Sequence, residues 1–146
     1  MGVEYRLTLA GGLSLDEVAA LVAPHAEETT TSGGDRLLST PTVDEPGYGV
    51  SIVEDRVGWH EAESDDGQVW RWEPGRCVDV TFYMDKFADR EGARGHMLRT
   101  VAGVLAHRSE DAALTLNGDW LMLTRVDGQV LLHNAADWYD PSHSPF

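Results

Sequence analysis

Residue types that could do chemistry are present in this sequence, but few stand at useful spacings. His25-Ala26-Glu27 matches the His-x-Glu half of a zinc deaminase signature. The other half, Pro-Cys-x-x-Cys, needs two thiolates, and this chain of 146 residues has one cysteine. Deamination is excluded, and His25 and Glu27 read as solvated loop residues. His60-Glu61-Ala62-Glu63 stands beside Asp65 and Asp66, ligand types that hard and borderline cations accept. On a strand, however, His60 and Glu63 point to opposite faces. The acidic turn also lacks the twelve-residue frame and closing glutamate of a calcium loop. The segment therefore reads as a solvated hairpin tip, and no metal or cofactor is expected. The six histidines, at 25, 60, 96, 107, 133 and 143, include no i, i+4 pair. Gly-x-Ser-x-Gly, the phosphate loop and the dinucleotide fingerprint are all missing. No catalytic residue is assigned, and the chain is not expected to be an enzyme.

Cys77 lies in Arg76-Cys77-Val78-Asp79-Val80, an alternating run that reads as a strand. Two readings stand for it. One is a small buried hydrophobe. The other is a reactive thiol, with Arg76 as the one nearby cation able to lower its pKa.

The aromatic and acidic residues are the more informative set. Trp70 and Trp72 share a strand face, and Trp59 can join them across the Asp66-Gly67 turn. These indoles either pack on a sheet or form an exposed patch of the kind that anchors partners. They alternate with Glu61, Glu63, Asp65, Asp66 and Glu73. Aromatic anchors ringed by carboxylates suit a basic macromolecule. The expected partner-binding residues are Glu54, Asp55, Trp59, Glu61, Glu63, Asp65, Asp66, Trp70, Trp72 and Glu73.

These residues need a scaffold, and the patterning supplies one. Val3, Tyr5, Leu7 and Leu9 alternate as a strand. Ser14 and Glu17 form a capping box before a helix that Pro24 stops. Residues 25–35 read as loop, and Arg36 to Thr40 as a short strand. Tyr48 to Val53 is a strand, with Val57 to Glu63 as its hairpin partner. Asp66-Gly67 then turns the chain into Gln68 to Trp72. Arg76 to Met84 is the longest strand-like run. A second helix opens at Asp89 or Arg90, and Ala93, Met97, Leu98, Val101, Val104 and Leu105 form its apolar stripe. A three-strand meander follows, turning at Asn117-Gly118 and Asp127-Gly128, and residues 140–146 read as a frayed tail. The expectation is one α+β domain over residues 1–146, a mainly antiparallel sheet with two helices on one face and the other face wet.

Charge narrows the partner. The chain carries 25 Asp+Glu against 11 Lys+Arg, a net −14. Residues 27–91 alone hold 16 acids against 6 bases. Such a field repels nucleic acid and anionic lipid and attracts basic proteins. No signal peptide or membrane-length apolar run is visible, so a cytoplasmic protein is expected.

Several segments resemble a known family. Glu4-Tyr5-Arg6-Leu7-Thr8-Leu9-Ala10-Gly11 is similar to the opening of a group of small bacterial immunity proteins, those of swarming-inhibition-type lipoprotein toxins. Val80 to Phe87, Met97 to Leu105 and Asp119 to Arg125 are similar to it too. The motifs are hydrophobic patterns rather than catalytic ones. The resemblance implies a non-enzymatic protein that binds and neutralises a cognate toxin, expected to be basic. The alternatives are a small ligand-binding domain or enzyme with an unrecognised site, or a regulatory interaction module.

Overall fold

Alternating apolar residues dictate the strands, and the rows they form dictate where the core sits. The structure, a computed structural model, describes residues 2–55 and 59–146. Strand β1 (Glu4–Ala10) buries Tyr5, Leu7 and Leu9 on one face. Ser14 then caps α1 (Leu15–Val22): its hydroxyl accepts from the Glu17 N–H, and its own N–H donates to the Glu17 carboxylate, both at 3.1 Å. Two short strands follow, β2 (Glu27–Thr30) and β3 (Arg36–Thr40). β2 corrects the reading of residues 25–35 as loop. All four of its residues are exposed, so no apolar alternation marks it, and backbone pairing with β3 holds it as an edge strand.

The centre of the fold comes next: β4 (Tyr48–Asp55), β5 (His60–Glu63), β6 (Val69–Trp72) and β7 (Cys77–Met84). Helix α2 (Arg90–His107) is capped by Asp89, whose carboxylate accepts from the Gly92 N–H. At its other end the Nδ1–H of His107 donates to the Gly103 carbonyl at 2.7 Å. The chain finishes with β8 (Ala112–Leu116), β9 (Trp120–Val126) and β10 (Gln129–Leu132). The β8–β9 turn has Asn117 at φ 52° and Gly118 at φ 76°, the paired positive values that the Asn-Gly sequence anticipates.

The described residues form one ten-stranded sheet in the order β2-β3-β4-β7-β1-β8-β9-β5-β6, with β10 also on β9. Every pairing is antiparallel except the contact of β5 with β9, at Glu63 and Trp120. Register aligns Ile52, Val80, Leu7, Leu114 and Leu123 in a row across five strands, and all five are sealed from solvent. Each such side chain contributes about 1.5–3 kcal/mol by burial. Leu15, Val18 and Ala19 of α1 and Met97, Leu98, Val101, Val104 and Leu105 of the predicted α2 stripe join the same face. The α+β expectation, with both helices on one face, therefore holds.

Three further expectations meet a different outcome. β5 is not the hairpin partner of β4, because β3 and β7 already occupy both edges of β4. β5 pairs instead with β6, and Val57 and Gly58, the expected start of its strand, lie outside the described residues. Nor is the second sheet face simply wet. Its central residues Thr8, Asp79, Thr81 and Thr115 are buried. The β5–β6 hairpin packs on this face, with Ala62, Trp70 and Trp72 against Ala113 and Leu121. The last residues, expected to fray, place Phe146 partly buried against the main core.

Candidate partner-binding site

Pleating splits the β5–β6 hairpin into two chemically distinct faces. The cross-strand pairs are His60 with Trp72, Glu61 with Arg71, Ala62 with Trp70 and Glu63 with Val69. Because side chains alternate, His60, Ala62, Trp70 and Trp72 face the sheet, and Glu61, Glu63, Val69 and Arg71 face solvent. The indoles of Trp70 and Trp72 stack at a tilt, 5.8 Å between centroids, and are half-buried. They hold the hairpin on the sheet. Trp59, one residue before β5, behaves differently and is 58% exposed. Val69 is 61% exposed, beside Glu63. Glu61 accepts from the Arg71 guanidinium at 2.9 Å, a surface pair of small net worth. Glu63, Asp66 and Glu73 are exposed.

Asp65 is committed internally. Its carboxylate accepts from the backbone N–H of Asn134 at 2.8 Å and lies 3.1 Å from Nδ1 of His133. Asn134 in turn donates to the carbonyls of Glu63 and Leu121, and Nε2 of His133 lies 3.0 Å from the Thr124 hydroxyl. Threonine, histidine and aspartate in line have the outline of a nucleophilic relay. Here the hydroxyl end is the inaccessible one, since Thr124 is buried, so the line works as a tether for the hairpin tip.

The Asn134 N–H, with His133 behind it, holds the Asp65 carboxyl below the usual aspartate range. A depressed folded-state pKa means stability that is present above the ordinary aspartate value and lost as pH falls through the lowered one. Hydrogen exchange at Glu63 and Ser64, whose N–H groups bond Asp119 and Gln68, is expected to lose protection on acidification. Asp65→Ala should show that loss already at neutral pH. Equal protection in the two proteins at neutral pH would remove the tether.

Glu54 and Asp55 sit at the end of β4, away from the outer hairpin face. The Glu54 carboxylate accepts from Arg76 at 2.6 Å. Asp55 lies opposite Cys77 in the β4–β7 ladder, and its carbonyl accepts from the thiol at 3.5 Å. Cys77 is fully buried, and burial, reinforced by Asp79, Asp55 and Glu54, pushes its thiol up to about 12. Arg76 therefore does not activate it. The ten sequence-chosen residues thus divide. Trp59, Glu61, Glu63, Asp66 and Glu73 share the exposed hairpin region, Trp70 and Trp72 support it, Asp65 anchors it, and Glu54 and Asp55 lie off its outer face, at the end of β4.

A model of the SitI3-like family matches residues 3–143. The chain belongs to the SitI3-like family. Members of the SitI family are immunity proteins, so the family carries an immunity-protein role and favours a non-enzymatic one. No curated protein and no solved structure matches the chain. No helix among the described residues is long and apolar enough to cross a membrane.

Besides the hairpin, this SitI3-like chain carries a cavity of about 680 Å³ at the end of the sheet nearest the start of α2. Tyr5, Met84 and Phe87 supply apolar wall, and Lys86, Arg90 and Arg94 supply positive charge that Asp85 and Glu91 offset in part. Phe87 is 85% exposed, and the Lys86 ammonium sits 5.2 Å from its ring. Sequence reasoning missed this site because the β7–α2 segment that supplies most of it meets β1 and the end of β8 only in space. The one signal was cationic: Lys86, Arg90 and Arg94 fall close together in a strongly acidic chain.

Proposed function

We propose that this protein is a cytoplasmic immunity protein that binds a cognate toxin domain of positive charge and blocks it by occlusion. The observation that carries the reading is the outer hairpin region. There Glu61, Glu63, Asp66 and Glu73 are exposed on the same hairpin region as Trp59 and Val69, in a chain of net charge −14. Long-range attraction speeds encounter with a cation-rich partner, and the exposed indole offers an anchor that can be desolvated. Trp70, Trp72 and Asp65 keep the surface rigid, which lowers the ordering cost of binding.

The test is association kinetics with a toxin-like protein encoded beside the gene. The triple substitution Glu61→Lys, Glu63→Lys and Glu73→Lys is expected to slow association at low salt by about tenfold or more. Wild-type association should also slow with added salt. Association indifferent to both charge reversal and salt would defeat the electrostatic reading. Asp65 is left intact because reversing it would release the tip.

A second reading, a domain that takes a small anionic ligand with an apolar body, is favoured by the Lys86, Arg90 and Arg94 cavity. Its volume falls in the range of small-molecule sites. Arg90→Glu with Arg94→Glu separates the two readings: a small amphipathic anion such as a naphthalene sulfonate should bind the wild-type cavity and lose binding in the variant if the second reading holds, and should bind neither protein if it fails. Toxin association that stays unchanged or quickens places the toxin on the hairpin, and loss of toxin binding places it on the cavity.

A further inference from the structure

The β5–β6 hairpin brings His60 over the second sheet face at the point where β4 and β7 meet. Asp55 and Cys77 are opposite each other in the ladder, so their side chains emerge on the same face. One carboxylate oxygen of Asp55, one ring nitrogen of His60 and Sγ of Cys77 all lie within 4.8 Å of one another. A second observation points to the same place. Nε2 of His60 is shielded from solvent and has no hydrogen-bond partner among the described residues. A buried imidazole nitrogen without a partner costs free energy, and a cation is one way to satisfy it. The ring packs against Trp72, 6.0 Å between centroids, which shields one side of the cluster. Glu54 and Asp79 add negative charge nearby.

We propose that Asp55, His60 and Cys77 hold a divalent metal ion of the zinc type, clipping the hairpin to the β4–β7 pair. The donor set is one nitrogen, one sulfur and one oxygen. Thiolate and imidazole select zinc over calcium or magnesium, which take oxygen. Tetrahedral zinc places neighbouring donor atoms roughly 3.3–3.8 Å apart, so a pair at the 4.8 Å limit would contract by about 1–1.5 Å. Three protein donors leave the fourth position to water. Binding releases the Cys77 thiol proton to solvent and takes His60 as the neutral imidazole. The ion joins residues distant in the chain and is a structural clip rather than a catalytic centre, so it leaves the family's non-enzymatic role unchanged.

Neither the toxin nor the outer hairpin face enters the test. Metal-free protein is titrated with Co²⁺ as a spectroscopic stand-in for zinc, and then with Zn²⁺ by calorimetry. The expected result is one ion per chain, with a thiolate-to-cobalt absorption band that Zn²⁺ abolishes. Cys77→Ser should eliminate the band, and His60→Gln should weaken zinc binding by at least about tenfold. Zinc should also raise the thermal midpoint of the wild-type protein and leave that of Cys77→Ser nearly unchanged. No cobalt–thiolate band in the wild-type protein overturns the proposal, and that result needs no variant to fold. Equal zinc affinity in wild type and both variants overturns it as well, by assigning the ion to histidines elsewhere.

Discussion

Phe82→Ala is expected to cost about 3–5 kcal/mol of folding stability, the largest effect of any single truncation considered for this protein. The ring is fully buried and stands between Tyr5 and Val50 in the register of β1, β7 and β4. Tyr48 meets it edge-on at 5.3 Å and 87°, so truncation removes an aromatic contact as well as buried area. Neighbours on three strands cannot all move to fill the space, so a cavity remains and adds to the lost transfer free energy. Whole domains are stable by only about 5–15 kcal/mol, so the variant should be near the limit of folding. Urea unfolding followed by fluorescence would measure it. Tyr83→Ala is the control, one residue along on the opposite face and 44% exposed, and should cost less than about 1 kcal/mol. Equal losses at 82 and 83 would contradict the assigned faces of β7.

The second large effect is expected at Arg125. This arginine is 5% exposed, and among the described residues it hydrogen-bonds carbonyls rather than carboxylates. Nη1 donates to the Leu105 carbonyl at 2.5 Å, and Nε and Nη2 donate to the Glu110 carbonyl at 3.0 and 2.7 Å. Leu105 is in the last turn of α2, where carbonyls lack helical partners and the dipole favours a cation. One planar fork thus closes the helix and pins the strand entry that follows. Burial pulls its pKa down, and Glu110 and Asp111 push it back up. Arg125→Met keeps the bulk but strands the two carbonyls, and should cost about 2–5 kcal/mol. Arg125→Lys keeps the charge without the fork and should lose about half as much. Urea midpoints of the three proteins, with hydrogen exchange across 105–112, would measure both. A methionine variant as stable as wild type would show that desolvating the guanidinium cancels what its bonds contribute.

Arg125 also shows where sequence reading stops. Its strand was legible from Trp120 to Arg125, but the strand gives no hint that an arginine turns inward to a helix end. The elements with strong periodicity were legible: the row-forming positions of β1 and β7, the stripe of α2, the Ser14 capping box and the Asn117-Gly118 turn. β2 was not, because an exposed edge strand needs backbone partners and no apolar face. The pairing of β5 was not, because strand order depends on which edges are already taken, and β4 has none free. In the candidate site, alternation correctly put Trp70 and Trp72 together. Only the fold over the second sheet face turned them inward and left Trp59 outside.

Residue types and short-range spacing, then, determined the class of this protein: its charge, its strands and helices, and the lack of a linear catalytic motif. Local propensity and periodicity act over a few residues, so they are readable along the chain. Tertiary structure alone decided which carboxylates face solvent, which one anchors the hairpin, and that Asp55, His60 and Cys77 meet. Those outcomes depend on contacts between segments far apart in sequence, set by edge availability and by what each sheet face must cover.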